Sequence, residues 1–220
     1  MYINILMLKL ESNKIEPRDI PKIRGYIAAK YPQYLELHNH IGDKEYKYGY
    51  PFIQYKAIDN IPTLIAINDA GKMLLDVSYG LQEINIKDKV INIMEKGFSL
   101  KKEEFGCHNE NLEYEFISPW MCLNQENYRK YLEIDEDNRN ELLKKILIGN
   151  IISMAKAFSY TVENNIFARL SVKPLSVKFK DQEMIAFKGS FETNFKIPNF
   201  LGLGKSVARG FGCVKKQNNG

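Results

Sequence analysis

The sequence predicts an α+β chain: two units in tandem, each an antiparallel sheet with helices laid against it. Three observations predict it. The order strand, helix, strands occurs twice along the chain. The strands of the second half alternate apolar and charged residues, as sheets with one covered face do. The length of 220 residues suits one large domain or two smaller ones. With 45% hydrophobic and 26% charged residues there is apolar surface enough for a core, which excludes a disordered tail.

Residues 2–10 (YINILMLKL) are nearly continuous apolar and read as a strand buried on both faces. Asp19 is placed to cap a helix, and Pro21 falls where no backbone donor is missed. Ile20, Ile23, Ile27 and Tyr31 recur at helical spacing until Pro32 stops the run. A polar, aromatic stretch follows at 37–51 (LHNHIGDKEYKYGYP). Residues 52–58, 63–67 and 73–77 are short strand or mixed candidates, set apart by Asp59-Asn60 and Asp69-Ala70-Gly71. Residues 83–98 read as a hairpin turning at Lys87-Asp88-Lys89.

In the second half Leu112, Tyr114 and Phe116 alternate with Glu113 and Glu115, which is strand periodicity. Residues 135–140 (DEDNRN) offer capping side chains; Leu143, Ile146, Leu147, Ile151, Met154, Ala155 and Phe158 then follow as a long buried helix. Three strands, 166–172, 175–179 and 184–195, complete the half, with Phe187, Phe191 and Phe195 on one core face. Strand, helix, strands, twice over, is how two ferredoxin-like (RRM-like) units would read. The first spans residues 1–100 and the second 110–220. The seam lies between about 95 and 112, where Glu103, Glu104, Gly106 and Asn109 to Asn111 break the periodicity.

The chain carries 31 basic and 27 acidic side chains, a net charge of +4. That total hides an asymmetry: residues 165–220 hold ten Lys or Arg against three acids, a net +7, whereas residues 1–164 are −3. A basic quarter on a mildly acidic body points toward polyanions. Cys107, Cys122 and Cys213 lack framework spacing and read as free thiols in a reducing, cytoplasmic compartment. The apolar start lacks the positive leader of a signal peptide, and no stretch approaches the ~20 apolar residues of a spanning helix, so no membrane is expected as a partner.

The most specific feature is residues 200–214, FLGLGKSVARGFGCV. Gly202, Gly204, Gly210 and Gly212 bracket Lys205, Ser206 and Arg209. Glycine permits positive φ and lets backbone amides converge on phosphate oxygens, and the two cations add charge at the same place. Two nucleotide motifs fail here. A P-loop needs a glycine where Asn199 stands, and the dinucleotide fingerprint needs one where Val207 stands.

Gly-Leu-Gly, five residues, then Gly-Phe-Gly-Cys-Val resembles the glycine-rich loop of the CRISPR-associated repeat-RNA endoribonucleases, the Cas-six family of the RAMP superfamily. The match falls on Gly202, Gly204, Gly210, Phe211, Gly212 and Val214. Residues 50–56 (YPFIQYK), downstream of His38-Asn39-His40, are similar to a segment of one branch of that family, and Ser118-Pro119-Trp120 and residues 123–128 (LNQENY) resemble its middle region. The resemblance implies a tandem ferredoxin-like fold with a C-terminal glycine-rich loop. It also implies cutting of CRISPR precursor RNA once per repeat, without metal or cofactor. The implied partner is repeat RNA, with a homodimer or a CRISPR effector complex beyond it.

Metal-free cleavage needs a base for the 2′-hydroxyl proton, an acid for the 5′-oxygen and cations for the phosphorane charge. Its products are a 2′,3′-cyclic phosphate and a 5′-hydroxyl. Imidazole titrates nearest neutral pH, and two of the three histidines are His38 and His40. If residues 37–41 are extended, both point to one side, about 7 Å apart. His40 has the better match to the family pattern. Tyr46, Lys47 and Tyr48 follow with phenols for proton relay and an ammonium for charge. His108, in GCHNEN, reads as a solvated connector residue. A zinc site from His38, His40, Cys107 and His108 is the weaker reading of the same side chains, since no C-x2-C pair is present.

Repeat RNA then lies against the basic quarter, with Arg169, Lys173, Lys178, Lys180, Lys205 and Arg209 as a phosphate track beside Gly202, Gly204, Ser206 and Gly210. The rival reading is a non-catalytic crRNA-binding RAMP subunit of an effector complex; a small-ligand-binding ferredoxin-like pair is a third.

Overall fold

The computed structural model describes every residue except Asn39, 42–44, 47–48, Asp88, Asp181 and 218–220, and gives the backbone alone for residues 38, 40, 41, 45 and 46. Two compact units divide the chain. The N-terminal unit holds residues 2–103 together with 207–210; the C-terminal unit holds Met1, 104–206 and 211–220.

The N-terminal unit runs β1 (Tyr2–Ser12), α1 (Ile20–Lys30), α2 (Leu35–His38), β2 (His40–Ile41), β3 (Glu45–Tyr46), β4 (Ile53–Ile58), β5 (Ile61–Ile67), α3 (Ala70–Tyr79), β6 (Glu83–Ile86) and β7 (Lys89–Glu104). Its main sheet has the order β4-β5-β1-β7-β6, with β2-β3 a separate pair. Taking β1, β4, β5 and β7 as first to fourth, the order is second, third, first, fourth, which is the ferredoxin-like arrangement. The core forms because alternate residues of β1 meet helical stripes: Leu6, Leu8 and Leu10 pack with Ile20, Ile23 and Ile27 of α1 and Leu74 and Val77 of α3. Each such side chain contributes about 1.5–3 kcal/mol relative to exposure.

The C-terminal unit runs β8 (Gly106–Phe116), α4 (Gln125–Glu133), α5 (Glu136–Ala157), β9 (Ala168–Phe179), β10 (Gln182–Lys196) and β11 (Val214–Lys216). Its sheet order, β11-β8-β10-β9, is again fourth, first, third, second. Asp135 caps α5, its carboxylate accepting from the Asn138 amide at 2.9 Å. The core is aromatic: Phe105, Tyr114, Phe116, Trp120, Phe187, Phe191 and Phe195 are all buried, and the Phe116 and Trp120 rings stack at 5.1 Å. Where the N-terminal unit places α3 between its third and fourth strands, this unit places the glycine-rich segment, with a single 3-10 turn at Val207–Arg209.

Several elements differ from the sequence reading. Residues 73–77 are helical, because Leu74 and Val77 are buried one turn apart while Leu75 and Asp76 face out. The expected strands 166–172 and 175–179 are one strand, β9; it is the outer strand of its sheet, where Pro174 is tolerated. The seam expected between about 95 and 112 is built of strand, β7 running to Glu104 and β8 starting at Gly106, and His108 lies within β8 rather than in a connector, its Nδ1 accepting from the Glu110 amide at 3.1 Å. The sequence reading assigns no helix to 125–133, where α4 forms; of its apolar face Tyr131 is buried while Tyr128 and Leu132 are exposed. Asp19 does not cap α1 by a side-chain bond; a 3-10 turn at Pro17–Asp19 precedes that helix, and Asp19 accepts from the Glu16 amide at 3.2 Å. Among the described residues no helix is long and apolar enough to cross a membrane.

Candidate functional site

The glycine-rich segment is held by hydrogen bonds to backbone and side-chain partners. In the C-terminal unit the strand end and the Ser-Pro-Trp stretch frame it. The Cys213 amide donates to Ser118 Oγ at 2.8 Å, the Gly212 amide to the Pro119 carbonyl at 2.8 Å and the Lys205 amide to the Met121 carbonyl at 2.6 Å. Leu203 and Gly212 are tied to each other at 2.9 Å. Two glycines are demanded by these contacts. Gly204 has φ +87°, and a Cβ there would stand 2.5 Å from the Met121 carbonyl oxygen and 2.8 Å from Trp120 Nε1. Gly212 has φ +61°, and a Cβ would collide with the Leu203 carbonyl oxygen. The Trp120 indole is itself fixed, donating to Asn150 Oδ1 at 3.0 Å. Several amides of the segment are thus spent on its own fold, which leaves its exposed Lys205 and half-buried Ser206 at the surface it presents.

The middle of the segment, Val207–Gly210, belongs to the N-terminal unit. There the buried Lys56 ammonium donates to the Val207 carbonyl at 3.1 Å, and Gly210 lies against Ile20 and the Tyr55 carbonyl. The YPFIQYK stretch therefore has a physical role: its last two residues seat this turn, and its Gln54 closes on the Pro51 carbonyl at 3.2 Å.

The basic residues of β9 do not form one track. Continuous pairing of β9 with β10 over 168–179 puts Arg169 and Lys173 on one face and Lys178 on the other, while Lys180 stands in the turn beyond. Arg169 is ion-paired to Glu192 and, with Glu113 and Ser190, lines a cavity of about 380 Å³. That spot is mixed in charge. Lys173 stands directly opposite Lys188, a cation that the sequence reading left out of the track; like charges in that position repel and favour an anion between them.

The histidine segment is only partly described. Residues 35–38 form a helical turn, so 37–41 is not the extended run that would set His38 and His40 on one side. His40 opens β2, and its backbone is paired directly opposite Tyr46 of β3. The side chains of His38, His40 and Tyr46, and the whole of Lys47 and Tyr48, lie outside the described residues. Among the described residues no cluster of His, Cys, Asp or Glu is arranged to hold a metal ion.

Family models match both halves of the chain: a Cas6b N-terminal domain over residues 1–104 and a Cas6b C-terminal domain over 106–217. The chain belongs to the Cas6b family. It resembles a solved structure of Cas6b at 38% identity and a TM-score of 0.94, covering 99% of this chain and 100% of that one. A second solved structure, of the CRISPR RNA processing endoribonuclease Cas6b, is 36% identical with a TM-score of 0.81, again over 99% of this chain and 100% of that one. An uncharacterised protein of Methanocaldococcus jannaschii is 44% identical over 145 residues, 66% of this chain and 96% of its own. Within this Cas6b framework the sequence reading missed Arg24, Tyr55 and Lys56. They lie far from residues 207–210 along the chain, and only the YPFIQYK resemblance signalled any of them.

Proposed function

We propose that the protein is a metal-independent endoribonuclease that cuts CRISPR precursor RNA within its repeats and leaves 2′,3′-cyclic phosphate and 5′-hydroxyl ends. The observation that carries the reading is membership of the Cas6b family over both halves of the chain, together with a relative that processes CRISPR RNA. Repeat RNA is the substrate and partner. His40 acts as general acid or base, and Tyr46, Lys47 and Tyr48 follow it within reach along the chain, with His38 the other imidazole. The cation of the segment offsets charge that develops on the phosphorane. The glycine-rich segment, with Lys205, Ser206 and Arg209, holds the RNA backbone, aided by Lys173 and Lys188. A homodimer, or a CRISPR effector complex that receives the product, is the assembly in which it acts.

The test is incubation with a cognate repeat oligonucleotide in EDTA, followed by end-group analysis. The proposal expects one cut per repeat, a 3′ product end resistant to ligation until the cyclic phosphate is opened and removed to give a 3′-hydroxyl, and a 5′-hydroxyl. Binding without any cut would transfer the protein to the crRNA-binding class, and cutting that stops in EDTA would overturn metal independence.

A further inference from the structure

Arg24, Tyr55 and Lys56 take no part in the chemistry above, yet they converge on one turn of the glycine-rich segment. Arg24 comes from α1, Tyr55 and Lys56 from β4, and Arg209 from the 3-10 turn, all within the N-terminal unit. The turn is pinned there by the Lys56 bond to Val207 and by the contact of Gly210 with Ile20. Tyr55 is 1% exposed, and its buried hydroxyl has no hydrogen-bond partner; the buried Nε of Arg24 has none either. Buried polar atoms are almost always paired, and two orphaned donors at one place mark a missing acceptor. No described ion pair involves Arg24, and the nearby buried carboxylate of Asp19 is held by Lys22 and Lys89 at 3.6 and 3.7 Å.

Charge agrees with the donors. Burial lowers the affinity of Arg24 for its proton; the Tyr55 phenol opposes this, and the charge of Arg209 adds to it. The two guanidiniums thus repel, and an anion between them would reverse the sign. Burial also pushes the Tyr55 phenol well above its ordinary value, so it stays a donor at neutral pH.

We propose that Arg24 and the Tyr55 hydroxyl, with Arg209 beside them, form a binding site for a phosphate group of the substrate RNA. The site rests on the reading of the protein as a repeat-RNA nuclease. A phosphate supplies several acceptor oxygens, one for the phenol and others for the guanidinium fork. Because the pinned turn carries Arg209, which the proposed function places on the RNA backbone, the site extends the contact of that residue onto α1 and β4 of the same unit.

The test uses the full chain and a repeat oligonucleotide, with Arg24→Gln and the volume-conserving Tyr55→Phe, both checked for wild-type melting profiles. Loss of a charge-assisted bond is expected to weaken RNA binding about tenfold for Arg24→Gln. The slope of log affinity against log salt should fall by about 0.7. Tyr55→Phe should weaken binding by a smaller factor, and the single-turnover cutting rate at saturating RNA should stay at the wild-type value in both. Wild type that binds, with both variants equal to it in affinity and salt slope, overturns the site alone. Wild type that neither binds nor cuts repeat RNA overturns the functional reading and the site together. Millimolar inorganic phosphate that raises the melting temperature of wild type but not of Arg24→Gln, with RNA affinity unchanged in the variant, assigns the pocket to free anion and overturns the RNA assignment.

Discussion

The two units share one strand order and differ in what joins the third strand to the fourth. In the N-terminal unit α3 fills that place and buries Leu74 and Val77 against β1. In the C-terminal unit the same place holds the glycine-rich segment, whose closure depends on the Ser118 hydroxyl and the Pro119 and Met121 carbonyls. A helix satisfies its own backbone and serves only to cover the sheet. A loop must borrow partners, and in return it can present cations and amides at a surface. The difference teaches where this fold puts its cations: the unit without a helix at that place carries nine of the ten basic residues of 165–220, and Arg209 lies with the N-terminal unit.

That comparison can be broken most severely at Gly212. Gly212→Ala should destabilise the C-terminal unit by about 3–5 kcal/mol, the scale of a backbone clash combined with forced left-handed geometry. A melt that still matches wild type would show that the segment does not depend on its close approach to Leu203. Lys56→Met comes next. It removes the charged donor to the Val207 carbonyl but keeps the volume of the side chain, and should lower stability by about 2 kcal/mol and open residues 207–210 to protease. An unchanged cleavage pattern there would detach the turn from β4. The smallest effect sharpens the comparison from the helical side. A Cβ at Gly25 in α1 or Gly149 in α5 would meet nothing within 4 Å. Alanine at either should therefore stabilise by about 0.5–1 kcal/mol, equally in the two units. Destabilisation at one alone would reveal a close neighbour there.

Most of the fold was legible because its signals are local. The spacing Leu143, Leu147, Ile151, Met154 of α5 and the alternation Phe187, Phe191, Phe195 of β10 each name a buried face without reference to any other element. What failed was read against tertiary context. Met73 to Leu75 is apolar enough for a strand, and only its placement over β1 makes it helix. Pro174 looks like a break until β9 is known to be an outer strand. The glycine-rich segment stood out as a candidate site, but not why Gly204 and Gly212 are required, since Trp120 presses on the first from outside the segment and Leu203 on the second across its fold. Arg24 was invisible for the same reason, and Tyr55 was marked only as part of YPFIQYK: nothing in their neighbourhood along the chain shows that a turn from residue 207 onward lands on them.

The central claim is that this chain cuts repeat RNA with a histidine of the 38–48 segment. The most direct measurement is the single-turnover cutting rate of His40→Ala on a cognate repeat in EDTA, set beside its affinity for the same RNA. The account predicts a rate loss of at least about a hundredfold, the scale of a lost general acid or base, with the affinity within a few-fold of wild type. A variant that cuts at the wild-type rate would contradict it.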